Sequence, residues 1–273
     1  MKHILLIACL APGLFAETIQ SGGGVITHIA DGAGAQTVIT LVNLEDAAAP
    51  YTLTLMDDSG APLMLVTDAG TASSFSGTLP GHGSRTITTA GVSLTQSQGW
   101  AKVVTTGTIG GSALFRISVA PWIGSEAMIP LDSVVSYRFS LIFDNSGNIA
   151  NGFAIANPLS TALTISVIFK DEDGAPFLTD TLTLPPMNHQ SFVLAAKYPP
   201  TAGRRGTVEI STTGARMNVL GLRFGTSAIS SILPLVAWDW ATAVVPPPTP
   251  TPNPMPDPYY YPGYSLGGTP AGR

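Results

Sequence analysis

The stretch MDDSGAPL at residues 56–63 returns almost unchanged as KDEDGAPF at residues 170–177. Asp followed by Gly and Pro, between runs of alternating apolar residues, is typical of a hairpin turn. In such a turn Gly takes a positive φ and Asp bonds its own backbone. Acidic turns also bind calcium, but the EF-hand spacing, with its distal Glu, is missing here. The pair therefore predicts one structural turn that occurs twice.

A self-comparison of the sequence extends the match well beyond these turns. At an offset of 114 residues, ITLVN at 39–43 falls on FAIAN at 153–157, and YTLTLMD at 51–57 falls on ISVIFKD at 165–171. Further matches follow at a shorter offset, because the first copy carries about nine extra residues around 68–77. Such self-similarity indicates a duplicated structural module.

The apolar pattern predicts the fold class. Tyr51, Leu53 and Leu55 alternate with more polar residues, which is typical of a strand with one buried face. Short strands with turn signals at this spacing predict an all-β chain with two tandem immunoglobulin-like antiparallel β-sandwich domains. The predicted boundaries are a signal peptide over 1–16, a first sandwich over 17–133, a second over 134–244 and a disordered Pro/Tyr-rich tail over 245–273.

The N-terminal residues predict export. Lys2 precedes an apolar run from Ile4 to Leu10, and small or apolar residues end at Ala16, which is the layout of a secretory signal peptide. The rival interpretation, a lipoprotein signal with lipidated Cys9, leaves a short export signal and is disfavoured. Cys9 is the single cysteine, so a mature chain without it has no thiol for disulfides, zinc–cysteine sites or thiol catalysis.

The composition limits which classes of partner are expected. The 12 basic residues do not cluster beyond Arg204 and Arg205, and the net charge is −5. Nucleic-acid binding needs clustered Lys and Arg and is therefore excluded as an expectation. No segment after the signal reaches the roughly 18 to 20 apolar residues of a membrane span. The expected partner is a cell-surface protein or a polysaccharide.

Histidines and acidic loops give no catalytic or cofactor signature. His3, His28, His82 and His189 stand far apart in sequence, without zinc spacing, and a GxSxG serine motif is missing. We therefore expect surface or turn histidines and no catalytic residue, metal or cofactor. The loop DNSGN at 144–148 has oxygen side chains two apart, as in some cation sites, and a turn is again the favoured interpretation.

Aromatic residues near the predicted domain ends are the candidate ligand contacts. Trp100 begins a strand and is expected in a core. Trp238 and Trp240 are two residues apart and would lie on the same face of a strand. Such an exposed pair could bind a sugar ring or a partner protein, and Trp122 is a further candidate. Packing between the modules is the favoured alternative. The remaining candidates belong to the tail: Tyr259, Tyr260 and Tyr261.

The stretches HIADGAGAQTVITLVN (28–43) and NGFAIANP (151–158), with the DGAP turns and the TLP motifs, resemble tandem β-sandwich modules of secreted bacterial proteins. The resemblance spans roughly residues 24–236 and implies an immunoglobulin-like fold in an extracellular setting. It implies no catalytic residues.

Together these features predict a non-catalytic, exported binding or scaffolding protein of the cell envelope or extracellular space. One alternative is a carbohydrate-binding protein that uses exposed Trp residues. A less favoured alternative is a secreted hydrolase with two carboxylates brought together from distant strands. The alternatives differ in what they require, namely exposed rings for the first and a cleft with two acidic side chains for the second.

Overall fold

A computed structural model describes residues 22–132, 136–213 and 215–236, which belong to one compact unit that ends at Ala237. The fold is all-β with antiparallel pairing, as predicted. The N-terminal strand set comprises ten strands: β1 (Gly24–Asp31), β2 (Ala35–Asn43), β3 (Ala49–Asp57), β4 (Leu65–Thr67), β5 (Gly70–Ala72), β6 (Ser74–Leu79), β7 (Ser84–Thr88), β8 (Ser97–Thr105), β9 (Ile109–Ile117) and β10 (Ser125–Asp132).

The C-terminal strand set follows the same plan. Its strands are β11 (Arg138–Asp144), β12 (Ala150–Ala156), β13 (Leu163–Lys170), β14 (Pro176–Leu184), β15 (His189–Val193), β16 (Arg205–Thr212), β17 (Asn218–Phe224), β18 (Ile229–Ile232) and β19 (Leu235–Val236). One short helix, α1 (Leu194–Lys197), and a 3₁₀ turn at Pro199–Thr201 connect β15 to β16. Within the described ranges, no helix has the length and apolar character needed to cross a bilayer.

The central strands pair in the same way in the two sets, whereas the outer strands differ. In the N-terminal set the order is β6-β3-β8-β1-β10-β9-β2-β7, a sheet whose halves meet where β1 pairs with β10. In the C-terminal set the corresponding halves are separate sheets, β14-β13-β16-β11-β19 and β15-β12-β17-β18. The long β10 is thus matched by the shorter β18 and β19. The additional residues of the first set form the β4–β5 hairpin.

Each strand set encloses a hydrophobic core. Leu41, Leu53 and Phe115 come from different parts of the eight-stranded sheet and share one cluster, so this sheet folds into two facing layers. Phe139, Phe153 and other residues from both C-terminal sheets form a second cluster, which gives a sandwich. Burial of these side chains is the main favourable term in folding.

The two cores are not independent. Ala154, Leu220 and Leu222 of the β15-β12-β17-β18 sheet belong to the N-terminal cluster. This sheet is therefore buried on both faces, one against its own sandwich and the other against the N-terminal strands. Trp100 is fully buried as predicted, but it packs with Met56 and Ala156 at this contact.

The repeated acidic turns are hairpin turns, which confirms the structural interpretation. The Asp57 carboxylate accepts from the backbone nitrogens of Ser59 and Ala61, at 2.8 and 3.0 Å. The Asp171 carboxylate does the same at 3.1 and 2.8 Å with the residues two and four positions later. Gly60 and Gly174 both have a φ of +81°, a conformation that costs Gly little.

A buried asparagine also recurs, 114 residues apart. The Asn43 Nδ2 atom donates to the carbonyl oxygens of Ala47, Leu79 and Pro80 at 2.7, 3.2 and 3.0 Å. The Asn157 Nδ2 atom donates to three equivalent carbonyl oxygens, those of Thr161, Leu184 and Pro185, at 2.8, 3.2 and 2.8 Å. Each side chain therefore ties a strand end to two neighbouring loops.

Candidate ligand site

A chain of three polar side chains crosses the contact between the strand sets. Asp58, in the first acidic turn, accepts from His189 Nδ1 at 2.7 Å, and His189 Nε2 lies 3.4 Å from Nδ1 of His28. Gln98 Nε2 donates to the second Asp58 oxygen at 2.8 Å, and the His189 backbone nitrogen donates to the Asp58 carbonyl at 3.0 Å. The turn thus holds the first residue of β15 by both backbone and side chain.

Burial and hydrogen bonding set the charges along this chain. Burial, with a smaller effect of His189, lowers the pKa of His28 to about 3, although Asp58 acts in the opposite direction. Burial acts to raise the pKa of the Asp58 carboxyl, but hydrogen bonds from His189 and Gln98 outweigh it and hold that pKa below its ordinary value. At neutral pH, Asp58 is therefore ionised and His28 is neutral.

The far end of the chain opens into a cavity. His28 lines a cavity of about 430 Å³ between the strand sets, which lies within the range typical of small-molecule sites. Five aromatic residues line it: Phe115, Trp122, Phe153, Phe192 and Phe224. Its polar side chains, besides His28, are Gln96, Gln98 and Ser191. The lining contains no Asp, Glu, Lys or Arg among the described residues.

Trp122 is the one predicted ligand contact that lies within the described residues. Its indole Nε1 donates to the Gly225 carbonyl at 2.7 Å, and its ring meets Phe224 edge to face at 5.6 Å between centroids. It therefore packs across the contact, as the packing alternative predicts, and it also lines the cavity. The other predicted contacts lie outside the described residues: Trp238, Trp240, Tyr259, Tyr260 and Tyr261.

The expectation of surface or turn histidines is wrong for two of them. His28 and His189 are 6% and 3% exposed and contact each other across 161 residues of sequence. Sequence spacing gave no sign of this pair, because the strands that carry them meet only through the packing of the two sets. His82 is exposed, as expected, and lies 2.8 Å from Asp46. His3 lies outside the described residues.

The second polar loop is held by cationic side chains. Asp144 accepts from the backbone and hydroxyl of Ser146 and from Arg205 Nε at 3.2 Å, and the Ser146 hydroxyl is the largest cause of its lowered pKa. This arrangement favours an arginine-paired turn over a cation site. In the part of the chain that the structure describes, no group of three or more His, Cys, Asp or Glu side chains is placed to hold a metal ion.

The comparisons with known proteins add no relative. No protein-family model matches the chain, and no curated protein or solved structure matches it at a significant level. Function must therefore be inferred from the chemistry of the site itself.

Proposed function

We propose that the chain is an exported, non-catalytic binding protein built from two tandem β-sandwich modules, and that the cavity between them is its ligand site. The observation that carries this proposal is the cavity of about 430 Å³, which five aromatic residues and few polar groups line. Preformed, mostly apolar cavities with a small number of oriented polar groups are typical of small-molecule sites. The proposed location, secreted or in the cell envelope, follows from the predicted signal peptide at residues 1–16.

The recurrence of strand pairing supports two modules. β2 pairs with β7 and β9, as β12 pairs with β15 and β17; β3 pairs with β6 and β8, as β13 pairs with β14 and β16. The pairs β2–β7 and β3–β8 correspond to the B–E and C–F pairs of an immunoglobulin sandwich. The first strand, β1, adjoins β8, and β9 adjoins β2, so these outer strands have exchanged sheets relative to that fold. We therefore propose sandwiches with immunoglobulin-like central strands and different flanks.

The cavity favours binding over hydrolysis. A hydrolase built on paired carboxylates needs two acidic side chains that face one substrate, and the described lining provides none. A carbohydrate-binding protein typically stacks a sugar on an exposed ring. The ring of Trp122 is instead half-buried, and its indole nitrogen is already bonded to Gly225.

A fragment screen by ligand-observed NMR tests the proposal. Neutral aromatic fragments and small saccharides would be tested against the protein and against Ser191→Phe, which places a ring in the cavity from β15. Ser166→Phe, at an exposed position on β13, is the matched control. We expect aromatic fragments to bind the protein and the control but not Ser191→Phe. Equal binding to all three proteins, or to none, would contradict a ligand site in this cavity.

A further inference from the structure

We infer that the cavity takes a neutral, planar aromatic molecule that carries a hydroxyl or N–H group, and that this group donates a hydrogen bond to Nε2 of His28. This inference rests on the proposed function, since it names the ligand class of the same cavity. It depends on three observations: the wall, the direction of the polar chain and the free nitrogen of His28.

The residues that line the cavity determine which ligand charge and shape fit it. With no charged side chain in the described lining, an ionised ligand would lose its hydration without gaining a counter-charge. Trp122 and Phe224 line the cavity and meet each other edge to face at 5.6 Å, and Phe115 meets the His28 ring edge to face at 5.8 Å. Aromatic rings pair well with a further planar ring in such offset and edge arrangements. A neutral planar ligand therefore fits this wall.

The polar chain fixes the donor and acceptor roles. Ionised Asp58 can only accept, so His189 Nδ1 donates to it. A neutral imidazole carries a single N–H, so with both rings neutral the bare Nε2 of His189 accepts from His28 Nδ1. The remaining ring nitrogen, Nε2 of His28, is left without hydrogen and is an acceptor. Asp58 thus determines which ring nitrogen of His28 carries the hydrogen, although the two side chains form no direct hydrogen bond.

The Nε2 atom of His28 is open to the cavity. No other described group forms a hydrogen bond with it, yet it is not among the side-chain atoms that are sealed from solvent without a partner. Since His28 is nearly buried and lines the cavity, the cavity is where this atom is accessible. A ligand donor placed there would complete the hydrogen bonding of the imidazole, whereas a ligand without a donor would leave the acceptor unpaired.

The test compares 2-naphthol with 2-methoxynaphthalene, which has the same rings but no donor, by titration at pH 8. We expect 2-naphthol to bind the full chain about tenfold more tightly, the effect of roughly one hydrogen bond. The negatively charged 2-naphthoate should show no binding.

Two variants test whether His28 causes the preference for 2-naphthol. His28→Phe keeps a ring but removes the acceptor and should equalise the two affinities, while His82→Phe, at an exposed histidine, should preserve the difference. Equal binding of both compounds to the unmodified protein would overturn the ligand class and leave the cavity site standing. A preference that persists in His28→Phe would overturn the role of His28. Binding of neither compound would contradict the proposed site as well.

Discussion

The two acidic turns have the same backbone but different surroundings. The turn at 56–63 packs against the C-terminal strand set, where Asp58 bonds His189 and Gly60 lies against the backbone of Met187. The turn at 170–177 has no such neighbour, and Glu172, the counterpart of Asp58, is exposed and has no hydrogen bond among the described residues. A duplicated element has thus kept its fold in both places, while only one copy contributes to the contact between the sets.

The equivalent turns that contain His82 and Met187 also share a backbone conformation but differ in their surroundings. His82 and Met187 occupy equivalent positions, each with an unusual positive φ, 57° and 59°. His82 is exposed, whereas Met187 packs beside Trp100 and its carbonyl accepts from the indole Nε1 at 3.0 Å. The backbone conformation is therefore common to both modules, whereas the packing of the side chain depends on its neighbours. Comparing equivalent positions by mutation measures how much stability the contact supplies.

The largest expected effect is at Trp100. Trp100→Ala would leave a large cavity and an unpaired Met187 carbonyl at the contact, so we expect the free energy of unfolding to fall by about 4 kcal/mol. The counterpart, Thr207→Ala, should cost less than about 1 kcal/mol because this residue is only half-buried and small. Urea denaturation of both variants measures the difference, and similar losses would show that Trp100 is not special to the contact.

Acid should weaken the protein through His28. Its pKa is about 3 in the folded chain and 6.5 when unperturbed, so between these values the unfolded chain binds the additional proton. Stability from this group is complete above pH 6.5 and is lost as the pH falls towards 3. The loss between pH 7 and pH 4 is about 3 kcal/mol. Asp58 adds a loss of the same sign at lower pH, since its pKa is also lowered.

Denaturation curves across this pH range for the protein and for His28→Phe test the prediction. The variant should lose most of the slope between pH 7 and pH 4, whereas His82→Phe should keep it. An unchanged slope in His28→Phe would mean that other groups cause the acid sensitivity.

The recurring asparagines should be equivalent. Asn43→Ala and Asn157→Ala each leave three carbonyl oxygens without their donor, and both side chains are fully buried. We expect each substitution to cost about 2 kcal/mol, with a difference between them below about 0.5 kcal/mol. Thermal unfolding of the two variants gives the comparison. A large difference would mean that the two loops are stabilised in different ways despite their common geometry.

The smallest effect distinguishes the acidic turns themselves. Asp58→Ala removes the partner of His189 and Gln98 and should cost about 1 kcal/mol, since the carboxylate is partly exposed. Glu172→Ala should stay within about 0.5 kcal/mol of the parent protein. If the two substitutions have the same effect by chemical denaturation, the Asp58 contact contributes little.

The sequence predicted what depends on local patterns. Alternation at 51–57 and 165–171, and the Asp-Gly turns between strands, correspond to β3, β13 and the hairpins that follow them. Alternation cannot reveal β1, because residues of this strand pack both in the N-terminal core and against the C-terminal set, so almost every position is buried. Trp100 was correctly placed in a core.

The site could not be predicted in the same way. His28 and His189 lie 161 residues apart, and neither has a distinctive neighbour in sequence. They meet because one sheet of the C-terminal set packs on the N-terminal strands, and this packing depends on the summed shape of many small and branched side chains. One signal is visible in the sequence: Asp58, which follows β3, and Gln98, which lies in β8, differ in charge or length from the equivalent residues of the second repeat, Glu172 and Arg205.

The most direct test of the central claim is the position of a bound aromatic ligand. Intermolecular NOEs from 2-naphthol to the isotope-labelled full chain would show which side chains it contacts. A ligand site between the strand sets predicts NOEs to the Trp122 and Phe115 rings and a shifted His28 ring signal. NOEs confined to residues away from this cavity, or a His28 signal that does not move at saturation, would contradict it.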